Sequence, residues 1–174
     1  GAMQLMQVDA FDTVLVTGLG PVGLGAVVNA VYRAARVIGV EGQPFRANLA
    51  QELGAETVID PADAGALEQL LELTDGLGID KAIDCSGAIQ AQRLCIDAAR
   101  RKGHVAFVGE AADLTVNVSQ DLIRKGLTLH GAWHYNLGDA SRIMQVIRGC
   151  GDLLDKQITH TCPMSSVQEA FELQ

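Results

Sequence analysis

Nowhere in this 174-residue chain does an apolar run reach the length that spans a bilayer, and no signal peptide can be read, so a cytoplasmic location is the expectation. Positive charge is scarce: 13 Lys and Arg against 21 Asp and Glu leave a net charge of −8. That deficit argues against nucleic acid and against an anionic membrane as partners, since both are recognised by basic patches. The four cysteines, Cys85, Cys95, Cys150 and Cys162, form no Cys-x-x-Cys pair. His104, His130, His134 and His160 have no second ligand at zinc-binding spacing. No metal site is expected within these residues, and the thiols read as reduced and partly buried. Linkers, repeats and low-complexity segments are missing as well. With 48% hydrophobic and 20% charged residues, the chain can bury a full core but is too short for two ordinary domains. Gly1-Ala2-Met3 looks like a tag remnant and is left out of fold reasoning, leaving residues 4–174 as one soluble domain.

What the chain does have is a glycine turn in the right setting. Val14-Leu15-Val16-Thr17, a short run rich in β-branched residues, opens directly into Gly18-Leu19-Gly20-Pro21-Val22-Gly23 and then into a helical pattern. With 19 glycines in the chain, the Gly-x-Gly-x-x-Gly spacing alone carries little information; the strand before it and the helix after it carry more. Each residue has a physical task. Gly18 lets the chain turn sharply out of the strand, Gly20 presents no Cβ to an approaching pyrophosphate, and Gly23 lets the helix lie close to the strand. Pro21 suits the first helical position, and the helix N-terminus offers unpaired N–H groups to an anion. No Gly-Lys-Ser or Gly-Lys-Thr follows, which excludes a P-loop.

Glu41 ends the next apolar run, 23 residues after Gly18. A carboxylate there accepts hydrogen bonds from both ribose hydroxyls and repels a 2′-phosphate, so NAD is expected over NADP. Arg46 leaves three options open: contact with adenine, contact with a phosphate, or a solvated helix position.

Short strand-like runs alternate with helical patterns. The strands are Val14–Thr17, Arg36–Glu41, Thr57–Asp60, Lys81–Cys85, Val105–Val108 and Leu127–Ala132, and the helices are Val22–Ala35, Phe45–Leu53, Ala64–Thr74 and Ile89–Arg100. A short helix over Gln120–Lys125, with Ser119 as its cap, crosses to the sixth strand. Beyond it come a helix near Ala140–Arg148, a strand-like Gln157–Thr161, and a last helix opened by a Ser166/Glu169 capping box. Such alternation makes an α/β fold: a doubly wound, six-stranded parallel sheet of Rossmann type with helices on both faces.

Laid out in this order, the sequence resembles the cofactor domain of the medium-chain, zinc-type alcohol and polyol dehydrogenases, nearest the sorbitol and threonine dehydrogenase branch. The matching pieces are Asp12-Thr13-Val14-Leu15-Val16-Thr17-Gly18-Leu19-Gly20-Pro21-Val22-Gly23-Leu24, then Ala50-x-x-Leu53-Gly54-Ala55 before Val58-Ile59-Asp60. Gly76-x-Gly78-x-Asp80, Ile83-Asp84-Cys85-Ser86-Gly87 and Gly103-x-Val105-x-Phe107-Val108-Gly109 follow. Phe11 departs from the pattern, which usually has glycine there.

The resemblance implies that Cys85 and Ser86 approach the cofactor, and that Val108, Gly109 and Glu110 lie beside it. It also implies that Ala132, with Trp133, holds the nicotinamide carboxamide by main-chain groups. From the residues alone, Cys85 reads equally as a small core residue and Trp133 as a cover for the sheet edge. Asp84 reads as a buried structural carboxylate at a strand end, and His104 as a surface residue.

Full enzymes of this family carry a GroES-like domain that supplies the catalytic zinc ligands. This sequence contains no such segment, so zinc is expected only in that separate domain, no catalytic residue is assigned here, and these residues alone are not expected to transfer hydride. A homodimer through the sixth-strand edge is also implied. Two other functions stay open: a stand-alone NAD-binding or interaction module without turnover, and a methyltransferase holding S-adenosylmethionine with the same glycine turn and acid.

Overall fold

The computed structural model describes residues 1–111 and 113–173. Six strands, β1 (Thr13–Thr17), β2 (Arg36–Val40), β3 (Thr57–Ile59), β4 (Ile79–Asp84), β5 (Ala99–Phe107) and β6 (Thr128–Gly131), lie in the order β3-β2-β1-β4-β5-β6. Every neighbouring pair is parallel. The sheet is the doubly wound one read from the alternation. Its helices are α1 (Ala2–Leu5), α2 (Pro21–Tyr32), α3 (Pro44–Glu52), α4 (Ala66–Glu72), α5 (Ile89–Ala98), α6 (Ala140–Gly149), α7 (Gly151–Asp155) and α8 (Val167–Glu172).

Parallel strands covered on both faces read as nearly unbroken apolar runs because successive side chains enter different cores. Val14 and Val16 of β1 pack with Val27 and Val28 of α2, with Leu49 of α3 and with Leu53 at its C-terminal cap. Leu15, between them, packs with Leu70 of α4 and with Cys95 and Ile96 of α5. The Gly76-x-Gly78-x-Asp80 motif sits at the amino ends of the strands. There Asp80 accepts a hydrogen bond from the Thr13 N–H at 2.8 Å and pairs with Arg100, tying β1, β4 and β5 together. No helix is long and apolar enough to cross a membrane among the described residues.

Several expectations are corrected. Gln157–Thr161 forms no strand: Ile158 is 63% exposed, and β-branched residues favour a strand only where a neighbouring strand and a core receive them. The crossover to β6 is a π-helical segment, Val118–Arg124, capped by Asn117 rather than Ser119; Asn117 Oδ1 accepts from the Gln120 N–H at 3.0 Å. The Ser166/Glu169 box does not close, since a 3₁₀ turn over Met164–Ser166 leads into α8 and the Ser166 side chain makes no capping bond. β5 begins at Ala99, earlier than expected, so His104 lies within the strand, half-buried. Its Nδ1 is 3.0 Å from Nε2 of His130 on β6, and the rings are stacked at 6°. Burial, then the Lys81 charge, lowers the pKa of both imidazoles. Met3, in the segment left out of the sequence reading, is 6% exposed and belongs to the α2 core.

The π-helical crossover is held by charge. Arg93 of α5 donates from Nη1 and Nη2 to Asp121 at 2.8 and 2.9 Å and also pairs with Asp97. Arg93 holds the Asp121 carboxyl down at about 2, against burial that opposes this, from an ordinary 3.8. A depressed carboxyl contributes stability that is complete above its unfolded pKa and disappears as pH falls through the folded one. Asp121→Asn should therefore cost about 1–2 kcal/mol at pH 7, a range reduced for solvent screening at the partly exposed Arg93. The gap to the wild type should close between pH 3.8 and about 2. Urea midpoints across that range measure it, and a constant gap would overturn the assignment.

Candidate functional site

Strand order reverses between β1 and β4: the chain leaves β1 toward one edge of the sheet and returns from β3 to β4 on the other side. Loops at the carboxyl ends of these two strands therefore part, opening a crevice there. The glycine turn forms its floor. Gly18 has φ +76°, and a Cβ placed on it would lie 2.5 Å from the Ser86 Cβ. A Cβ on Gly23 would lie 1.9 Å from the Gly18 carbonyl oxygen, so α2 packs directly under the turn. At Gly20 the outcome is opposite: nothing lies within 4 Å of an added Cβ, which would project into open space. Pro21 occupies the first position of α2, as read from the sequence.

Glu41, one residue beyond β2, accepts from the Leu19 N–H at 2.7 Å through Oε2 and from the Gln43 N–H at 3.0 Å through Oε1. An ionised carboxylate has roughly four acceptor positions, so about two remain free. Glu41 thus holds the glycine turn and keeps capacity for a diol.

Below the loop after β4 lies Asp84, with 0% exposure. Its Oδ1 accepts from Thr17 Oγ1 (2.9 Å), the Ser86 N–H (3.1 Å) and Ser86 Oγ (2.6 Å). Its Oδ2 accepts from the Gly87 N–H and from Gln92 Nε2, both at 3.1 Å. With five donors, this carboxylate has no lone pair left to act as a base. The structural role read from the sequence holds. The loop after β5 packs against the loop after β4, a Cβ on Gly109 falling 2.2 Å from the Gly87 nitrogen.

Two hollows flank the turn. One of about 660 Å³ is lined by Gly18, Gly20, Glu41, Arg46, Cys85 and Ser86 among others. A second of about 460 Å³ is lined by Val22, Cys85, Val108 and Ala132, together with residues of α1 and α6. Cys85 borders both. Burial, reinforced by Asp84, pushes its thiol up to about 12, so it stays protonated and is no nucleophile at neutral pH.

Of the other expected site residues, Pro21 and Gly23 support the turn from behind, and Gly109 and Glu110 form the loop against Gly87. Trp133 lines neither hollow: it is 79% exposed, its ring against His134. Among the described residues no three His, Cys, Asp or Glu side chains gather as a metal-ligating group. Sequence reading passed over Thr17 and Gln92. Gln92 had a signal, being a polar residue three and four positions before Cys95 and Ile96 on the apolar stripe of α5.

The fold, with a crevice at its switch point, is an α/β domain of the doubly wound Rossmann class. Residues 21–149 match the family model described as zinc-binding dehydrogenase, and the chain belongs to that family. It is 33% identical over 165 residues to L-threonine 3-dehydrogenase of Pyrococcus horikoshii, covering 92% of this chain and 47% of that enzyme. Sorbitol dehydrogenase of Halalkalibacterium halodurans is 30% identical over 173 residues, covering 98% and 50%. Among solved structures, alcohol dehydrogenase from Thermotoga maritima superposes with a TM-score of 0.89 at 28% identity, over 95% of this chain and 47% of that one. The chain thus spans about half the length of the relatives it matches.

The glycine geometry separates two roles. Gly23→Ala should destabilise the protein by about 3 kcal/mol or more, because the new methyl meets backbone that has no room to yield. Gly20→Ala should cost at most about 1 kcal/mol, the usual penalty at a helix N-cap. Thermal melts of the two variants compare them directly; equal losses would show that the turn is packed alike at both positions.

Proposed function

We propose that this chain is the NAD(H)-binding domain, residues 4–174, of a zinc-dependent alcohol or polyol oxidoreductase, in which it binds the cofactor and orients the nicotinamide. The observation that carries the reading is the open space over Gly20 at the mouth of the turn, between the N-terminus of α2 and the half-free Glu41 carboxylate. A pyrophosphate fits that space, because the first-turn N–H groups and dipole of the twelve-residue α2 favour an anion without a lysine. Glu41 takes the adenosine ribose with its remaining acceptor capacity, and its charge disfavours a 2′-phosphate. Arg46, on the rim of the larger hollow, lies along the adenosine. Cys85, Ser86, Val108 and Ala132 form the walls between which the dinucleotide runs, the larger hollow taking its adenosine half and the smaller its nicotinamide half.

Bound NAD supplies the hydride acceptor. This chain's own part is to hold the ring, shield one face with Val22 and Val108, and keep the neutral Cys85 thiol from competing chemistry. On this reading zinc, which polarises the alcohol, belongs to a separate catalytic domain, and the reaction needs both. The protein works in the cytoplasm.

Titration of the intrinsic NADH fluorescence tests the reading. Saturable NADH binding tighter than NADPH binding is expected, with Gly20→Ala weakening it at least roughly tenfold while the fold is kept. Absence of NADH binding, or a preference for NADPH, overturns it.

A homodimer is part of the same proposal. β6 is the outermost strand of the sheet and only four residues long, so its free edge can pair with a second copy's. Exposed Trp133 and Leu137 follow it directly. Light scattering should give twice the chain mass, and Leu129→Pro, which removes a strand N–H, should shift it toward monomer. A monomer at high concentration contradicts this assembly.

A further inference from the structure

Gln92 is 4% exposed, on a face of α5 otherwise made of Cys95 and Ile96. Burying an amide there is unfavourable unless its hydrogens are used, and both are. Nε2 donates to Asp84 Oδ2 at 3.1 Å, below the loop after β4, and to the Gly109 carbonyl at 3.2 Å, in the loop after β5. Val108, next to that carbonyl, lines the smaller hollow, and nothing from residues 108–110 lines the larger one. Through the Gly109 carbonyl the Gln92 amide therefore acts on the smaller hollow alone, whereas its bond to Asp84 is one of five that the carboxylate accepts.

We propose that Gln92 is the positioning residue that fixes the loop after β5 for the nicotinamide half of the dinucleotide. The adenosine half is held without it, by Glu41 and the glycine turn. The inference rests on the dinucleotide reading of the crevice. Gln92 touches no cofactor; it acts through the Gly109 carbonyl. Losing the amide leaves that carbonyl and one Asp84 acceptor position without a donor, and the loop then keeps only the Val108 and Gly109 N–H bonds to the Asp84 backbone carbonyl, with nothing to fix the Gly109 carbonyl beyond them. Asp84 retains its bonds to Thr17, Ser86 and Gly87, so the loop after β4 stays in place.

The test is Gln92→Met in the whole chain, a change that nearly conserves volume, with NADH and ADP affinities measured by calorimetry. The NADH affinity should fall roughly tenfold, the effect of losing one or two modest hydrogen bonds, while ADP affinity stays within about twofold. A general loosening of the domain would weaken both ligands alike, and that result overturns the proposal, as does unchanged NADH affinity. Wild-type protein that binds neither ligand removes the dinucleotide reading and this inference together; wild type that binds both, beside an indistinguishable variant, removes only the inference. Amide hydrogen exchange gives a second readout: the Val108 and Gly109 amides, bonded to the Asp84 carbonyl at 2.9 and 3.0 Å, should exchange faster in Gln92→Met than in the wild type, and unchanged rates would overturn the proposal.

Discussion

The buried charge of Asp84 is the constraint around which the crevice is organised. A carboxylate with no access to water is tolerable only when hydrogen bonds replace its hydration, and four of the five donors to Asp84 come from Thr17, Ser86 and Gly87. Here the donors come from the end of β1, the loop after β4 and helix α5, and the backbone carbonyl of the same residue receives the Val108 and Gly109 N–H groups at 2.9 and 3.0 Å. Three loops that would otherwise move separately are fixed to one residue. Asparagine could not substitute: its NH₂ would face donors, and its oxygen alone cannot serve five of them. The arrangement extends one step further into the core. Thr17 spends its hydroxyl hydrogen on Asp84, so the Cys95 thiol, 3.6 Å away and pushed up to about 12 by burial, donates to Thr17 in turn.

The side proposed to take the adenosine is organised by different means. Glu41 is half-exposed, holding the glycine turn through the Leu19 N–H and its own loop through the Gln43 N–H, so it carries little desolvation cost and keeps free acceptor positions. A structural carboxylate is thus saturated and buried, whereas the one proposed to meet ligand is half-satisfied and open. The same division separates the glycines: a Cβ on Gly18 or Gly23 would meet protein backbone, whereas the space over Gly20 is open.

Legibility in the sequence followed how local the determining interaction is. The strand–turn–helix around Gly18, Pro21 at the first position of α2, and the alternation that fixes the sheet depend on neighbours within a few residues, and they could be read directly. Glu41 was legible through its spacing from the turn. Gln92 and Thr17 were not, because their importance lies in a carboxylate that only the assembled sheet brings within 3.1 Å. The His104–His130 pair depends on the register of β5 with β6, which no local pattern specifies. Gln157–Thr161 misled for the converse reason: its β-branched residues favour a strand, but the sheet already ends at β6 and offers them no partner. Trp133, which follows a strand end, reads from the residues alone as a cover for the sheet edge. The positive φ of 57° at His134 turns the chain immediately afterwards, and the indole stays outside.

Stiffness is distributed unevenly across the two hollows as a consequence. Around the larger hollow, the turn after β1 and the loop after β4 are held by carboxylates, Glu41 accepting the Leu19 N–H at 2.7 Å and Asp84 the Ser86 and Gly87 N–H groups at 3.1 Å, and these bonds are charge-assisted. The smaller hollow is walled by Val108, which hangs from Asp84's backbone and the Gln92 amide, and by Ala132, whose N–H reaches the Phe107 carbonyl at 3.0 Å at the end of a four-residue edge strand. Neutral bonds at an edge open more readily than charge-assisted ones at a sheet centre. A ligand anchored first by its diphosphate and ribose would therefore meet a rigid half and complete its binding at an adjustable one. Adjustment at that end would suit the proposed role, in which a reactive ring is brought into register with chemistry supplied by a separate domain.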